Sequence, residues 1–378
     1  MMEKKTVNWT TGLCNNFYKE ENKIKRGKKD DSICNDKGRF YKVDNQDEEG
    51  FTTFKRKKFS NFENLCFMNS SMQCLAHLVN FRTKILNFKN PSNLIKEIQN
   101  LFIDMKNGKK YSNVSGIKKV LSDVNDRYKE NNQEDANEFI STFLDTILED
   151  TKSSLDEMPK ININKDDIIE RKAYDKICRR FYQKKGGSFI VPLFYGLLKE
   201  EKICPKCSAK ISVNFNIYNI LELPINEYEN KHSMDLKDIM NSFYGKMIEF
   251  IENESCPNCG EIGKVNVITT ICTLPKYLII HFRRTVDNRY IDLDINYEDK
   301  IDLSQNISKS STCCNLKNQY SLKGVIEHSG DNKYGHYMAI CFSDNTQSWN
   351  TFSDTNIICN TNYKSKIAII LLYELNNY

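Results

Sequence analysis

Residues 61–78 read NFENLCFMNSSMQCLAHL and set Cys66 at the head of a run with helical spacing, Met68, Met72, Leu75 and Val79 falling on one face. With Asn64 as N-cap, Cys66 lies near the positive end of the helix macrodipole. That position lowers a thiol pKa from its usual value of about 8.5 and favours the nucleophilic thiolate. The same pattern also fits a small apolar residue in a core helix, so a partner for the thiol decides between the two. The candidates are five histidines: His77, His232, His281, His328 and His336. The last two lie in YSLKGVIEHSGDNKYGHYMAICFSDNTQSWNTFSD, where two strand-like runs flank SGDNKYG, a turn with Gly330 and Gly335 as its flexible points. His336 opens the second strand beside Gly335, a glycine that lets another chain approach, and a strand-borne imidazole there suits a helix-borne thiolate. WNTFSD then supplies Ser353 and Asp354, either able to hold the far imidazole nitrogen and fix its tautomer. His328 faces the same turn and reads as a hydrogen-bonding support.

A second chemistry is written in two knuckles, CPKC at 204–207 and CPNC at 256–259, some fifty residues apart. Each C-x-x-C turn presents two thiolates, and Cys204, Cys207, Cys256 and Cys259 together complete a closed, tetrahedral Cys₄ shell for a structural Zn²⁺. The Pro in each knuckle and Gly260 after the second suit tight turns. The alternative is two unrelated redox or incidental pairs. No apolar run follows MMEKKTVNWT, so no signal peptide is expected. Fourteen cysteines in an intracellular chain point to thiols and metal rather than disulfides.

The elements that must position these groups change character along the chain. Residues 1–57 are rich in Lys, Asn, Asp and Glu with weak periodicity and read as a disordered or loosely attached extension. From 58 to 150 the pattern is helical, with stripes at Leu94, Ile98, Leu101 and Met105 and at Ala136, Phe139, Ile140, Phe143, Leu144 and Ile147. A polar stretch, TKSSLDEMPKININKDD, reads as a linker. After about 187 come strand-like runs, SFIVPLFYG, KISVNFNIYNILELPI, KVNVITTICTLPKYLIIHF and IAIILLYEL. Helices first and strands afterwards give an α+β fold, helices on one side of a mainly antiparallel sheet. No internal repeat is present. A net charge of +5 over 378 residues names no partner, and the longest apolar run is too short to span a membrane.

Taken together, these motifs resemble the ubiquitin-specific proteases, papain-like cysteine peptidases that remove ubiquitin. KFSNFENLCFMNSSMQCL is similar to the family's cysteine box, QEDANEF at 133–139 to its Q-[QE]-D-A-x-E-F box, and LPKYLIIHFRR to L-P-x-x-L-x-[IL]-x-[LF]-x-R. FYGLLKEEKICPKC resembles the entry to the zinc fingers, and HSGDNKYGHY with WNTFSD the histidine box. The matches run in order over about 58–376. The resemblance implies a papain-like catalytic domain over 58–378: a helical thumb at 58–150, zinc-bearing β fingers at 200–270 and a β-sheet palm in the remainder. It implies Cys66 as nucleophile, His336 as general base and Asn61, five positions upstream of Cys66, as side-chain donor to the oxyanion. The family's third residue is normally Asp or Asn, and Ser353 stands there with Asp354 following. Glu63 and Leu65 replace the usual Gly and Thr; a carboxylate there raises the thiol pKa and opposes the helix dipole.

The implied reaction is hydrolysis of isopeptide or peptide bonds at the C-terminal glycine of ubiquitin, with ubiquitin and ubiquitinated proteins as partners, zinc as structural cofactor, no membrane and no direct nucleic-acid partner. The implied location is cytoplasmic, nuclear or both. The alternatives are a catalytically weak or inactive ubiquitin-binding scaffold of the same fold, and a zinc-ribbon nucleic-acid module with a basic arm.

Overall fold

The structure, a computed structural model, describes residues 64–376 except 108–113, 156, 287–288, 313–317, 331–334, 355 and 361, and the side chains of 252–254 and 360. The expected extension at 1–57, together with Asn61 and Glu63, lies outside the described residues.

Six helices open the described chain: α1 Cys66–Ala76, α2 Val79–Leu86, α3 Asn93–Lys106, α4 Ser115–Val124, α5 Ala136–Thr151 and α6 Ile168–Ile177. The stripes expected on α3 and α5 are buried in one apolar cluster, and both of these helices start at a capping side chain. Ser92 Oγ accepts from the N–H of Ile95 at 3.2 Å, and Asp135 Oδ1 from Asn137 and Glu138 at 2.7 and 3.2 Å. Helix α1 is buried along its whole length, which marks a helix enclosed on every side.

Three expectations are corrected here. The polar stretch after α5 is no free linker: Leu155, Met158, Ile161 and Ile163 pack on the first core, and the Asn162 N–H bonds the Ser310 carbonyl at 2.6 Å. SFIVPLFYG, read as a strand, forms helix α7, Ile190–Phe194, and only then enters a strand. Helix α6 was not foreseen. Its buried positions Glu170 and Tyr174, continued by Cys178 and Tyr182 in the wider turn that follows, are spaced as one helical face. That face carries an acid and tyrosines in place of aliphatics.

Two sheets follow. The smaller has four strands: β1 Gly196–Ile203, β2 Lys210–Tyr218, β4 Met247–Ser255 and β5 Ile262–Thr273, in the order β2-β1-β5-β4 and all antiparallel. Between its two hairpins lie β3, Leu221–Pro224, and helix α8, Leu236–Phe243. The larger sheet joins β3 to β6 Tyr277–Arg283, β7 Gln319–Gly330, β8 Gly335–Ser343, β9 Ser348–Ser353, β10 Asn356–Asn360 and β11 Ala368–Leu375. Its order is β10-β9-β8-β7-β11-β6-β3, with a short strand, Lys300–Asp302, also on β7. Every pair is antiparallel except β3 with β6.

The run AIILLY in β11 is buried throughout because both faces of this sheet are covered. Ile279, Ile370 and Leu372 face the helical cluster, whereas Leu278, Ile280 and Leu371 join a second cluster with Leu236, Ile239 and Met240 of α8. The helices are therefore not all on one side. Among the described residues no helix is long and apolar enough to cross a membrane.

Candidate active site and metal centre

Helix α1 begins at Cys66 itself. Its N-cap is Leu65, which has no side chain able to cap, while the Asn64 carboxamide donates to the Asn131 carbonyl at 3.1 Å instead. The expectation of an Asn64 cap is thus corrected. So is that of a thiol lowered by the helix tip. Burial pushes the Cys66 thiol up, and the Asp354 charge adds to this. The nearby backbone N–H groups of Tyr337, Phe67 and Cys66 itself pull the other way without prevailing. A thiolate here needs a cation beside it. Tyr337, whose N–H acts on the sulfur, directly follows His336 in β8.

His336 stands at the start of β8. Its Nε2 lies 2.9 Å from Ser353 Oγ at the end of β9. Its Nδ1 lies 4.0 Å from Asp354 Oδ2. With Nε2–H donating to Ser353, Nδ1 keeps its lone pair. Asp354 reaches this position because its backbone turns left-handed, φ 50°, as β9 ends. The Asn69 carboxamide, one turn after Cys66, donates to its other oxygen at 2.9 Å. Asn69 was not singled out from sequence; three residues beyond Cys66 is next-turn spacing on one helix face, and that was the available signal.

The His328 ring packs on Tyr337, centroids 4.3 Å apart. A Cβ at Gly335 would stand 2.1 Å from His328 Nε2, so the glycine makes room for this ring.

A groove of about 520 Å³ runs beside Tyr337 between α5 and the sheet. Glu134, Asp135, Glu138 and Glu222 line it. The His281 ring, 3.8 Å away, and the Asn137 amide, donating at 3.0 Å, hold Glu222 down to about 2.

The two cysteine knuckles meet where the hairpins of the smaller sheet turn. The four sulfurs of Cys204, Cys207, Cys256 and Cys259 lie within 4.8 Å of one another. Cys204 is 3.7 Å from Cys259 and Cys207 3.6 Å from Cys256. Four thiolates at Zn–S bonds of about 2.3 Å in a tetrahedron stand about 3.8 Å apart, so the donor set fits a metal ion. The residue after each second cysteine, Ser208 (φ 59°) or Gly260 (φ 71°), is left-handed and closes its knuckle in the same way.

A helix-borne thiol, a strand-borne imidazole and a sheet covered by helices define the class: a papain-like cysteine peptidase fold. A family profile described as ubiquitin carboxyl-terminal hydrolase matches residues 57–373, and the chain belongs to that family. It is 28% identical over 327 residues to ubiquitin carboxyl-terminal hydrolase Usp2 of Drosophila melanogaster, covering 83% of this chain and 34% of that one. With human ubiquitin carboxyl-terminal hydrolase 2 it shares 27% over 337 residues, 83% of this chain and 54% of the other. The chain thus spans between a third and about half of these relatives. Among solved structures it shares its fold with the SAGA Ubp8/Sgf11/Sus1/Sgf73 DUB module bound to ubiquitin aldehyde, at a TM-score of 0.66, 19% identity, and coverage of 88% of this chain and 71% of that one.

Proposed function

We propose that the chain is a thiol-dependent deubiquitinase that hydrolyses isopeptide or peptide bonds at the C-terminal glycine of ubiquitin. The observation that carries this reading is the hydrogen bond from Asn69, one turn after Cys66, to Asp354 at 2.9 Å, which ties the helix of the thiol to the turn beside an imidazole held on Ser353. His336 Nδ1 takes the thiol proton, and the thiolate attacks the glycine carbonyl carbon. Asn61 and the Cys66 N–H receive the oxyanion. As the tetrahedral intermediate collapses, the leaving amine takes the proton from His336 and a thioester remains on Cys66. Water, losing a proton to the same imidazole, releases ubiquitin and the free thiol. The groove, lined by carboxylates and by Arg283 and Arg284, takes the tail leading to the scissile glycine, while the smaller sheet forms fingers that grip the folded part of ubiquitin. Cys204, Cys207, Cys256 and Cys259 would hold zinc, which when bound supplies a cross-link and no chemistry. Unpaired thiols and a thiolate metal shell suit a reducing intracellular compartment.

The test is a ubiquitin probe with a thiol-reactive C-terminus. Wild type forms a covalent adduct and Cys66→Ala does not. A wild-type chain that binds ubiquitin without forming the adduct, or without releasing amine from a fluorogenic ubiquitin C-terminal amide, is the inactive scaffold instead.

A further inference from the structure

Strand β8 loses a neighbour where its chemistry begins. Its ladder to β9 runs from Ser343 with Ser348 to Ala339 with Phe352, and Asp354 then turns the chain left-handed. Residues 335–338 keep β7 on one side only. In a strand every second residue bonds to the same edge, so Gly335 and Tyr337 turn their backbone groups to the vacated side. Groups from the helical lobe take them up. The Cys66 sulfur lies near the Tyr337 N–H. The Gln133 carboxamide meets Gly335 twice, Oε1 accepting its N–H at 3.0 Å and Nε2 donating to its carbonyl at 2.5 Å. A carboxamide carries the same donor and acceptor as a peptide group, so this contact imitates one rung of a ladder. Close by, the N–H of Ala136 acts on the Tyr337 phenol. That N–H is left over at the head of α5 because Asp135 caps the next two.

We propose that Gln133 is a positioning residue: its carboxamide stands in for the missing strand at Gly335 and fixes the backbone that carries His336. The inference rests on His336 acting on Cys66 as proposed above. Gly335 cannot be held by a side chain of its own, since the His328 ring fills that space. The hold comes from Gln133 on the residue that precedes His336.

The experiment compares wild type, Gln133→Met and Gln133→Glu. It reads kcat and KM on a fluorogenic ubiquitin C-terminal amide and, without any substrate, the rate of Cys66 alkylation by iodoacetamide against pH. Loss of near-attack geometry predicts a fall in kcat of about 10- to 100-fold for Gln133→Met with KM moved less than about threefold. Alkylation at pH 7 falls about tenfold with it, because the thiolate loses its imidazolium. Gln133→Glu is impaired at pH 8, where its carboxylate faces the Gly335 carbonyl. It recovers toward wild type near pH 5, where the protonated carboxyl regains a donor. Glu134, Asp135 and Glu222 around it favour that proton, against His281, Arg283 and Arg284 in the same groove. Unchanged kcat and alkylation in Gln133→Met, a rise in KM alone, or a Gln133→Glu defect indifferent to pH each overturn the proposal. A wild type that alkylates rapidly yet cleaves no ubiquitin amide refutes the proposed function, while the alkylation series still decides the role of Gln133.

Discussion

Around Cys66 the sulfur is enclosed by a helix buried on every side and by strands covered on both faces, whereas at the fingertips four sulfurs meet at the end of a sheet with little to bury. Ile251 is 84% exposed, Ile262 63%, Met247 48% and Phe250 47%. The first region stands on apolar packing and spends part of it on keeping a thiol out of water. The second has no such core, and at the far end its two hairpins meet at the four cysteines and at one exposed ion pair, Lys206 with Glu261 at 2.8 Å. Burial works against ionisation at Cys66, so a thiolate at that site needs a neighbouring cation. At the fingers the four cysteines could hold a metal ion, which would supply the positive charge directly. One side chain is used in both places, and its surroundings decide whether it reacts or ligates.

Stripping the metal should separate the regions most sharply. Chelation should abolish hydrogen-exchange protection across 200–213 and 250–268 and raise KM for ubiquitin substrates at least about tenfold, since ligand binding and local folding are one event in such a site. Cys66 alkylation should change less than twofold. Cys66→Ala should give the mirror image, no turnover and intact fingers. Loss of Cys66 reactivity on chelation would show that the two regions unfold as one unit.

Inside the first region the two candidates for the third residue make different predictions. Ser353→Ala removes the group 2.9 Å from His336 Nε2 and should lower kcat/KM by about 10- to 100-fold. Asp354→Asn keeps the Asn69 contact geometry but removes a charge that pushes the Cys66 thiol up. Its alkylation curve should therefore move to lower pH, with a smaller loss of turnover. If Asp354→Asn costs more than Ser353→Ala, the carboxylate and not the hydroxyl holds the imidazole.

How far each region was legible follows from how local its determinants are. The knuckles announce themselves within four residues, and their meeting needs only two hairpins side by side, so the four ligands were readable from spacing. The stripes of α3 and α5 repeat at helical period with aliphatic side chains and were equally plain. Cys66, His336 and Ser353 were named through motifs, but their environment was not. The upward shift of the thiol comes from burial by elements far along the chain, and the left-handed turn at Asp354 has no glycine to betray it. Helix α6 escaped because its inner face is written in Glu170 and Tyr174, a face that only makes sense beside Lys199, which donates to Glu170 at 3.2 Å.

Acid should find the first region before the second. His77 closes α1, its Nδ1 2.7 Å from the Gln73 carbonyl, and burial holds it down to about 4 from its ordinary 6.5. Below pH 6.5 the unfolded chain takes a proton that the folded chain refuses until about pH 4, so stability falls as pH falls through that window. Linkage puts the loss at about 2 kcal/mol between about pH 7.5 and pH 5. Unfolding followed by tryptophan fluorescence in urea should show that slope, and His77→Gln should flatten it. An unchanged slope in the variant assigns the acid sensitivity elsewhere.

The smallest effect tests the fingers by conformation alone. Gly260 and Gly335 look alike in sequence, each beside a functional residue, yet they are glycines for different reasons. At Gly335 the limit is space, because a Cβ meets His328 at 2.1 Å. At Gly260 nothing lies within 4 Å, and the limit is φ 71°. A side chain in that region costs about 1 kcal/mol, less when it is short and polar enough to bond its own backbone. The other knuckle already carries such a residue, Ser208 at φ 59°. Gly260→Ser should therefore lower metal affinity by less than about fivefold, a penalty near 1 kcal/mol, and leave turnover unchanged. A larger loss would mean that the second knuckle, unlike the first, needs freedom to move as it closes on the metal.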